Sequence, residues 1–357
     1  MFRTDDLKSA IKTLYPVVPN KTTMPILQNI LFQSRNGVLE LTATNLEQSL
    51  TLTLEVGNVF NTCIPASTLN ELLNAITAPE IDIVQDATSV RVNRNPGKTT
   101  IKTMEASDFP TSEIDIHNIV EIDAQTFAHN IKQCLVSTSE DKSHPIMTGI
   151  LLRSKDHRLT IASADGFRMT YTEMMFPMPD FEAIIPGESA KVLLSVLKEG
   201  KAELAINESK IAVFGNGYKF TSQLLAGNFP DVGRLIPQIW GTVIEVDKSV
   251  LNKAVKIAMI FAKDMANIVT FNLNFDELRV TGESNERGND DTTIKVKSIG
   301  TQQIEFAVNG YYLLEALTLM DDTVLMKLNS CTQPIGMLIP GDDIFVHLMM
   351  PMHLGRR

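Results

Sequence analysis

Gly97-Lys98-Thr99-Thr100 has the residue order that ends a phosphate-binding loop, where backbone amides and a lysine hold the anion. That chemistry needs a glycine five positions upstream, where Val92 stands, and a helix downstream, where the pattern alternates like a strand. The segment therefore reads as a hairpin turn. The six histidines never fall at metal-ligand spacing and no HExxH occurs. Ser163-Ala164-Asp165 lacks the flanking glycines of a nucleophile elbow. The acid pairs Asp321-Asp322 and Asp342-Asp343 sit in predicted turns, where aspartate is common for backbone reasons. Cys63, Cys134 and Cys331 form neither a CxxC pair nor a disulfide framework, which fits a reducing cytoplasm. No catalytic constellation, metal site or cofactor is expected.

What the chain does offer is a charge pattern. Its 357 residues are 44% hydrophobic, enough for two or three cored domains, and carry a formal net charge of −10. Taken alone, that charge argues against nucleic acid. Helices are predicted over 5–14, 67–76, 123–139, 187–201, 247–263 and 309–320, and together they hold ten lysines, eight acids and no arginine. The rest of the chain is left with 22 basic and 34 acidic residues. In the helix from Val250 to Lys263, Leu251, Ala254, Val255 and Ala258 share one face, and Lys253, Lys256 and Lys263 the other. Lysine is a mobile point charge that suits contact with phosphate without reading bases. No apolar run reaches the ~18–20 residues of a membrane span, and no signal peptide opens the chain.

The elements that must position these lysines occur three times. Leu39-Glu40-Leu41-Thr42-Ala43, Leu159-Thr160-Ile161-Ala162-Ser163 and Leu278-Arg279-Val280-Thr281-Gly282 recur at spacings of about a third of the chain. Asp108-Phe109-Pro110 returns as Asn228-Phe229-Pro230, with Met349-Met350-Pro351 in the corresponding late position. Each unit reads as strand, helix and three strands, then the same again. Acidic residues mark helix starts at Thr4-Asp5-Asp6, Asp123 and Asp247. Linkers near Asn118-Ile119 and Pro237-Gln238-Ile239 divide the chain into 1–118, 119–238 and 239–357. The expected class is α+β, with three similar domains of two helices each on antiparallel sheets. On the residues alone, an enzyme with a site between domains and an acidic peptide-binding scaffold both stay open.

Four short motifs in the right order resemble the bacterial sliding clamps, the beta subunits of DNA polymerase III. They are Thr23-Met24-Pro25-Ile26-Leu27-Gln28-Asn29-Ile30-Leu31, Ala164-Asp165-Gly166-Phe167-Arg168-Met169, Gly227-Asn228-Phe229-Pro230-Asp231 and Met350-Pro351-Met352-His353-Leu354. The resemblance implies DNA-clamp domains, a head-to-tail homodimer closing a six-domain ring around duplex DNA, and no catalysis. It implies that lysines face the duplex: Lys21 and Lys142 on loops, with Lys132, Lys198, Lys253 and Lys256 as helix candidates. It implies a dimer contact through an edge carrying Ile101 and a cluster of Ile260 and Phe261. It also implies a pocket for short hydrophobic peptides of the clamp loader, the replicative polymerase and repair proteins. Met147, Ala164, Gly166, Phe167, Arg168 and Met169 would line one side of that pocket. Pro230, Arg234 and Leu235 would come from the linker region, and Leu348, Met350, Pro351 and Met352 from the C-terminus. Methionine suits such a site because its flexible, polarizable side chain adapts to several ligands. The usual motif more often has histidine, leucine and arginine where this chain has Phe167, Met169 and His353, and Gly355-Arg356-Arg357 extends past the usual end. The implied place of action is the cytoplasm, on the nucleoid, with no membrane partner.

Overall fold

Alternating apolar residues make the strands, and they repeat in place. Leu39, Leu41 and Ala43 are fully buried in the first repeat, Leu159 and Ile161 in the second, and Leu278 and Val280 in the third. The structure, a computed structural model, describes residues 1–55, 58–111, 119–301 and 303–353. Asn118 of the first predicted linker, Leu354 and the Gly355–Arg357 extension lie outside the described residues.

The first repeat runs β1 (Phe2–Arg3), α1 (Thr4–Leu14), β2 (Asn29–Arg35), β3 (Val38–Thr44), β4 (Gln48–Leu54), β5 (Asn61–Pro65), α2 (Ala66–Ala75), β6 (Glu80–Gln85), β7 (Ser89–Asn93), β8 (Lys98–Lys102) and a short β9 (Met104–Glu105). The second runs β10 (Ile119–Asp123), α3 (Ala124–Leu135), β11 (Gly149–Lys155), β12 (Arg158–Ala164), β13 (Arg168–Met175), β14 (Phe181–Pro186), α4 (Gly187–Val196), β15 (Lys201–Ile206), β16 (Lys210–Gly215) and β17 (Tyr218–Gln223). The third runs β18 (Thr242–Asp247), α5 (Lys248–Ala262), β19 (Ile268–Asn274), β20 (Glu277–Ser284), β21 (Gly288–Lys295), β22 (Lys297–Gly300), β23 (Gln303–Asn309), α6 (Gly310–Leu317), β24 (Thr323–Leu328), β25 (Ile335–Leu338) and β26 (Val346–Met349). Apart from β9 and β22, each repeat is strand, helix and three strands, twice over. The Gly97 segment joins β7 to β8 as a hairpin turn, with the Arg94 amide donating to the Gly97 carbonyl at 2.9 Å.

Helix starts follow the expected capping in part. Asp247 accepts from the Val250 amide at 2.9 Å, and Asp123 from that of Thr126 at 2.8 Å. At α1 the expectation fails: Arg3 occupies the cap without a side-chain bond, and Asp5 and Asp6 sit inside the first turn. There they favour the helix dipole without satisfying an amide by capping. Three helices also end early, at Leu135, Val196 and Leu317. After Leu135 the chain tightens into three-residue turns, Ser137 to Cys134 and Thr138 to Leu135, while Ser137 Oγ bonds Thr170 Oγ1. After Val196, Leu197 is extended and Gly200 takes φ +92°.

By packing, the described residues form two compact units: Met1–His129 with Ile185–Ala226, and Asn130–Ile184 with Gly227–Arg357. The division passes through the second repeat because its strands are shared out. In the first unit β4 pairs antiparallel with β17, the last strand of the second repeat. In the second unit β13 pairs with β26, the last strand of the third repeat. This rule leaves two strands at sheet edges: β8, last of the first repeat, and β21, counterpart of β4 and β13 in the third.

In the second unit, α5 lies directly on β20. A Cβ on Gly282 would meet the Ala258 carbonyl oxygen at 2.1 Å, so only glycine permits that approach. Leu251, Ala254, Val255, Ala258, Met259 and Ala262 form its buried stripe, and Phe271 stacks on Phe306 at 5.1 Å beneath. Among the described residues no helix is long and apolar enough to cross a membrane.

Candidate functional site

The turn Asp165–Arg168 is built by its own side chains. Asp165 Oδ1 accepts the amides of Phe167 and Arg168 at 2.9 Å each, and Gly166 supplies φ +91°. Holding the turn so tightly leaves the Phe167 ring outside, 61% exposed. The strand that follows docks the C-terminal segment. Arg168 faces Met349 and Met169 faces Leu348, the Met350 amide donates to the Phe167 carbonyl at 2.7 Å, and the Met352 amide to that of Ala307 at 2.7 Å. Met350 stays 44% exposed, and Pro351 and Met352 are half-buried. Leu235, 54% exposed, ends the single turn Val232–Leu235, which packs beside β13. Exposed Pro230 lies in the preceding segment, where Gly227 abuts the Ile146 side chain. Half-buried Met147 belongs to that same turn, Pro145–Thr148.

Three segments far apart in sequence thus meet around β13 in the second unit. Ala164, Met169 and Leu348 are buried there, so they form the floor rather than the surface. Two expected members behave differently. The Arg168 side chain is 8% exposed and committed: its guanidinium pairs with Asp165 at 2.9 Å and with Glu315, and lies 4.2 Å over the Tyr312 ring. It braces the turn against α6 and is not a free surface cation. Arg234 is exposed but paired with Asp231 at 2.8 Å. Behind the floor, His347 is fully buried with Nδ1 2.9 Å from Thr170 Oγ1, and its Nε2 finds no partner among the described residues. Burial, then the charge of Arg168, lowers its pKa to about 3, so the ring is neutral.

Lys21, Lys142, Lys132, Lys253 and Lys256 are exposed and make no ion pair among the described residues. Lys198 is exposed too, but off the helix: α4 stops at Val196, and Lys198 lines a hollow with Gln125 and Ala128 of α3. One further lysine belongs with them. The buried pairs Leu7/Ile11, Phe127/Ile131 and Leu251/Val255 occupy one position in the first helix of each repeat. The residue after each pair is Lys12, Lys132 or Lys256, all exposed. Lys12 escapes the sequence reading, although aligning the three helices on their buried stripes brings it out.

At the open edges, Ile101 of β8 is buried, so only its backbone is available. Lys98 and Lys102 flank it, exposed. On the other edge β21 carries Asp290 and Asp291, and α5 packs against it with Ile257 44% and Ile260 55% exposed and Phe261 half-buried.

Burial, with the Asp108 charge, pushes the Cys63 thiol to about 12, and burial raises Cys134 as well, so both stay protonated. Among the described residues no group of three or more His, Cys, Asp and Glu side chains could hold a metal.

Comparison with known proteins gives full-length matches. Sequence families described as the DNA polymerase III beta subunit match in three parts: the N-terminal domain over residues 1–113, the central domain over 121–231 and the C-terminal domain over 233–353. The chain is 22% identical to the beta sliding clamp of Synechococcus elongatus, covering 99% of this chain and 98% of that one. It is 24% identical to that of Chlamydia pneumoniae, at 98% of each. Among solved structures, the Pseudomonas aeruginosa sliding clamp bound to griselimycin superposes with a TM-score of 0.93 at 21% identity, over 99% of this chain and 98% of that one. The DNA polymerase III beta subunit of Thermotoga maritima gives 0.91 at 18%, with the same coverage.

Proposed function

The chain belongs to the DNA polymerase III beta-subunit family, and from that membership we propose that two copies close head to tail around duplex DNA and tether its processing enzymes. It is a sliding clamp, a processivity subunit without chemistry of its own. Its three clamp domains are assigned to 1–118, 119–238 and 239–357.

The observation that carries the ring is the pairing rule. At both junctions inside the chain equivalent positions meet, Ser222 opposite Gln48 and Met349 opposite Arg168. Ile101 faces Val90 in its hairpin as Ser222 faces Ile211, and Gly288 precedes Asn289 as Gln48 precedes Ser49. Applying the rule to the open edges sets Ile101 opposite Gly288 of a second copy. Thr99 then faces Asp290, and Lys98 faces Asp291, which also pairs with Arg279 on the neighbouring strand. Arg287, which falls opposite Lys102, is neutralised by Asp264 at 3.2 Å. The exposed Ile257 and Ile260, with Phe261, gain cover beside this strand pair. Two such contacts close a two-fold ring, not a filament.

Lysines at one repeated helix position, Lys12, Lys132 and Lys256, with Lys253, Lys198 and the loop residues Lys21 and Lys142, then face phosphate, while the acidic remainder faces outward. Contacts of this kind are sequence-independent and salt-sensitive. The apolar patch around Phe167, Met350 and Leu235 takes short hydrophobic peptides from the clamp loader, the replicative polymerase and repair proteins. Its place of action is the cytoplasm, on the nucleoid. The test is retention on nicked circular DNA, loaded with a matched loader, before and after one restriction cut. Protein held by topology stays on circles and leaves the linear form; equal retention on both would overturn the ring.

A further inference from the structure

The apolar patch has an electrostatic rim that bears on which peptides it takes. Its two arginines are both spent, Arg168 between Asp165 and Glu315, and Arg234 on Asp231. One guanidinium between two carboxylates leaves a net negative charge. That charge is accessible at Glu315, whose side chain is 35% exposed while that of Asp165 is only 10% exposed. Glu315 Oε2 binds Arg168, and Oε1 makes no hydrogen bond among the described residues. Tyr311, four residues before Glu315 on the same helix, is 55% exposed.

We propose that this site, read as a peptide pocket, selects apolar peptides whose flank carries lysine or arginine directed at Glu315, and disfavours peptides with acidic flanks. The physical reason is asymmetry. A basic flank meets the exposed carboxylate of Glu315, whereas an acidic flank is repelled by it, and among the described residues both arginines of the rim already pair with carboxylates. An exposed charge pair contributes modestly, so the preference is roughly two- to fivefold, and it shrinks as salt rises.

The experiment is fluorescence polarisation on the full chain, using two labelled peptides that share one aromatic–leucine core and differ only in a lysine or glutamate flank. The expected result is tighter binding of the lysine peptide at low salt, with the difference largely lost in Glu315→Gln. That variant keeps a hydrogen bond to Arg168, so the turn stays braced. Phe167→Ala weakens both peptides alike. Equal or tighter binding of the glutamate peptide, or a preference untouched by Glu315→Gln, overturns the selectivity while leaving the pocket standing. Failure of both peptides to bind overturns the pocket and the selectivity together.

Discussion

Phe167 and Arg168 are neighbours in the chain and do opposite work: the ring stands in solvent, and the guanidinium is buried as a brace. Alternation alone predicts which of two adjacent strand residues points outward, but not that the inward one is charged. The brace is tolerable because two carboxylates and an aromatic ring replace the water it lost. His347 is the residue with the clearest pH consequence. Its folded pKa, about 3, lies below the ordinary 6.5, so the unfolded chain binds the proton more tightly. The stability contributed by the neutral ring is fully present above pH 6.5 and is lost as pH falls toward 3. Urea midpoints measured between pH 7.5 and 5 are expected to fall, with a slope approaching ~1.4 kcal/mol per pH unit from this group. His347→Gln, although less stable at pH 7.5, is expected to flatten that slope; an unchanged slope would assign it to other groups.

Strands and helices are legible in type because their burial stripes are strong, as in α5, where each apolar position of the predicted stripe is a core position. Their ends are less legible. Lys198 follows four apolar residues at helical spacing, yet the chain extends at Leu197, a choice made by the turn that feeds β15. The bracing role of Arg168 escapes any local pattern because its partner Glu315 lies 147 residues away. The peptide patch is visible only through its motifs, since nothing in spacing joins Met147, Leu235 and Met350. The edge strands carry the element-level prediction. Lys98→Asp is expected to weaken the dimer by roughly two- to fivefold in sedimentation equilibrium, since a carboxylate then faces Asp291 at each seam while Arg279 partly neutralises it. Thr99→Cys combined with Asp290→Cys is expected to give a disulfide-linked dimer under mild oxidation only if the two positions face each other, so failure to cross-link would discard the register.

At the scale of the whole molecule, the net charge of −10 misleads because it averages over surfaces with different tasks. Lys12, Lys132 and Lys256 recur at one helix position, and a closed dimer carries six of them. Replacing all three by alanine is expected to flatten the salt dependence of binding to a short linear duplex, by about one unit of slope for each lysine that touches phosphate. The same variant is expected to remain on nicked circles, because closure, not adhesion, keeps it there; loss from circles as well would mean that adhesion to phosphate holds the protein on DNA. The open edges carry one more consequence. A ring made of two copies has two seams, and opening one leaves the other intact, so the parted ends stay tethered at an effective concentration of the order of millimolar for a short tether. Reclosure is then unimolecular and independent of how much protein the cell holds. Full dissociation requires both seams to part at once, which makes an encircled clamp far longer-lived than the strength of either seam alone would suggest.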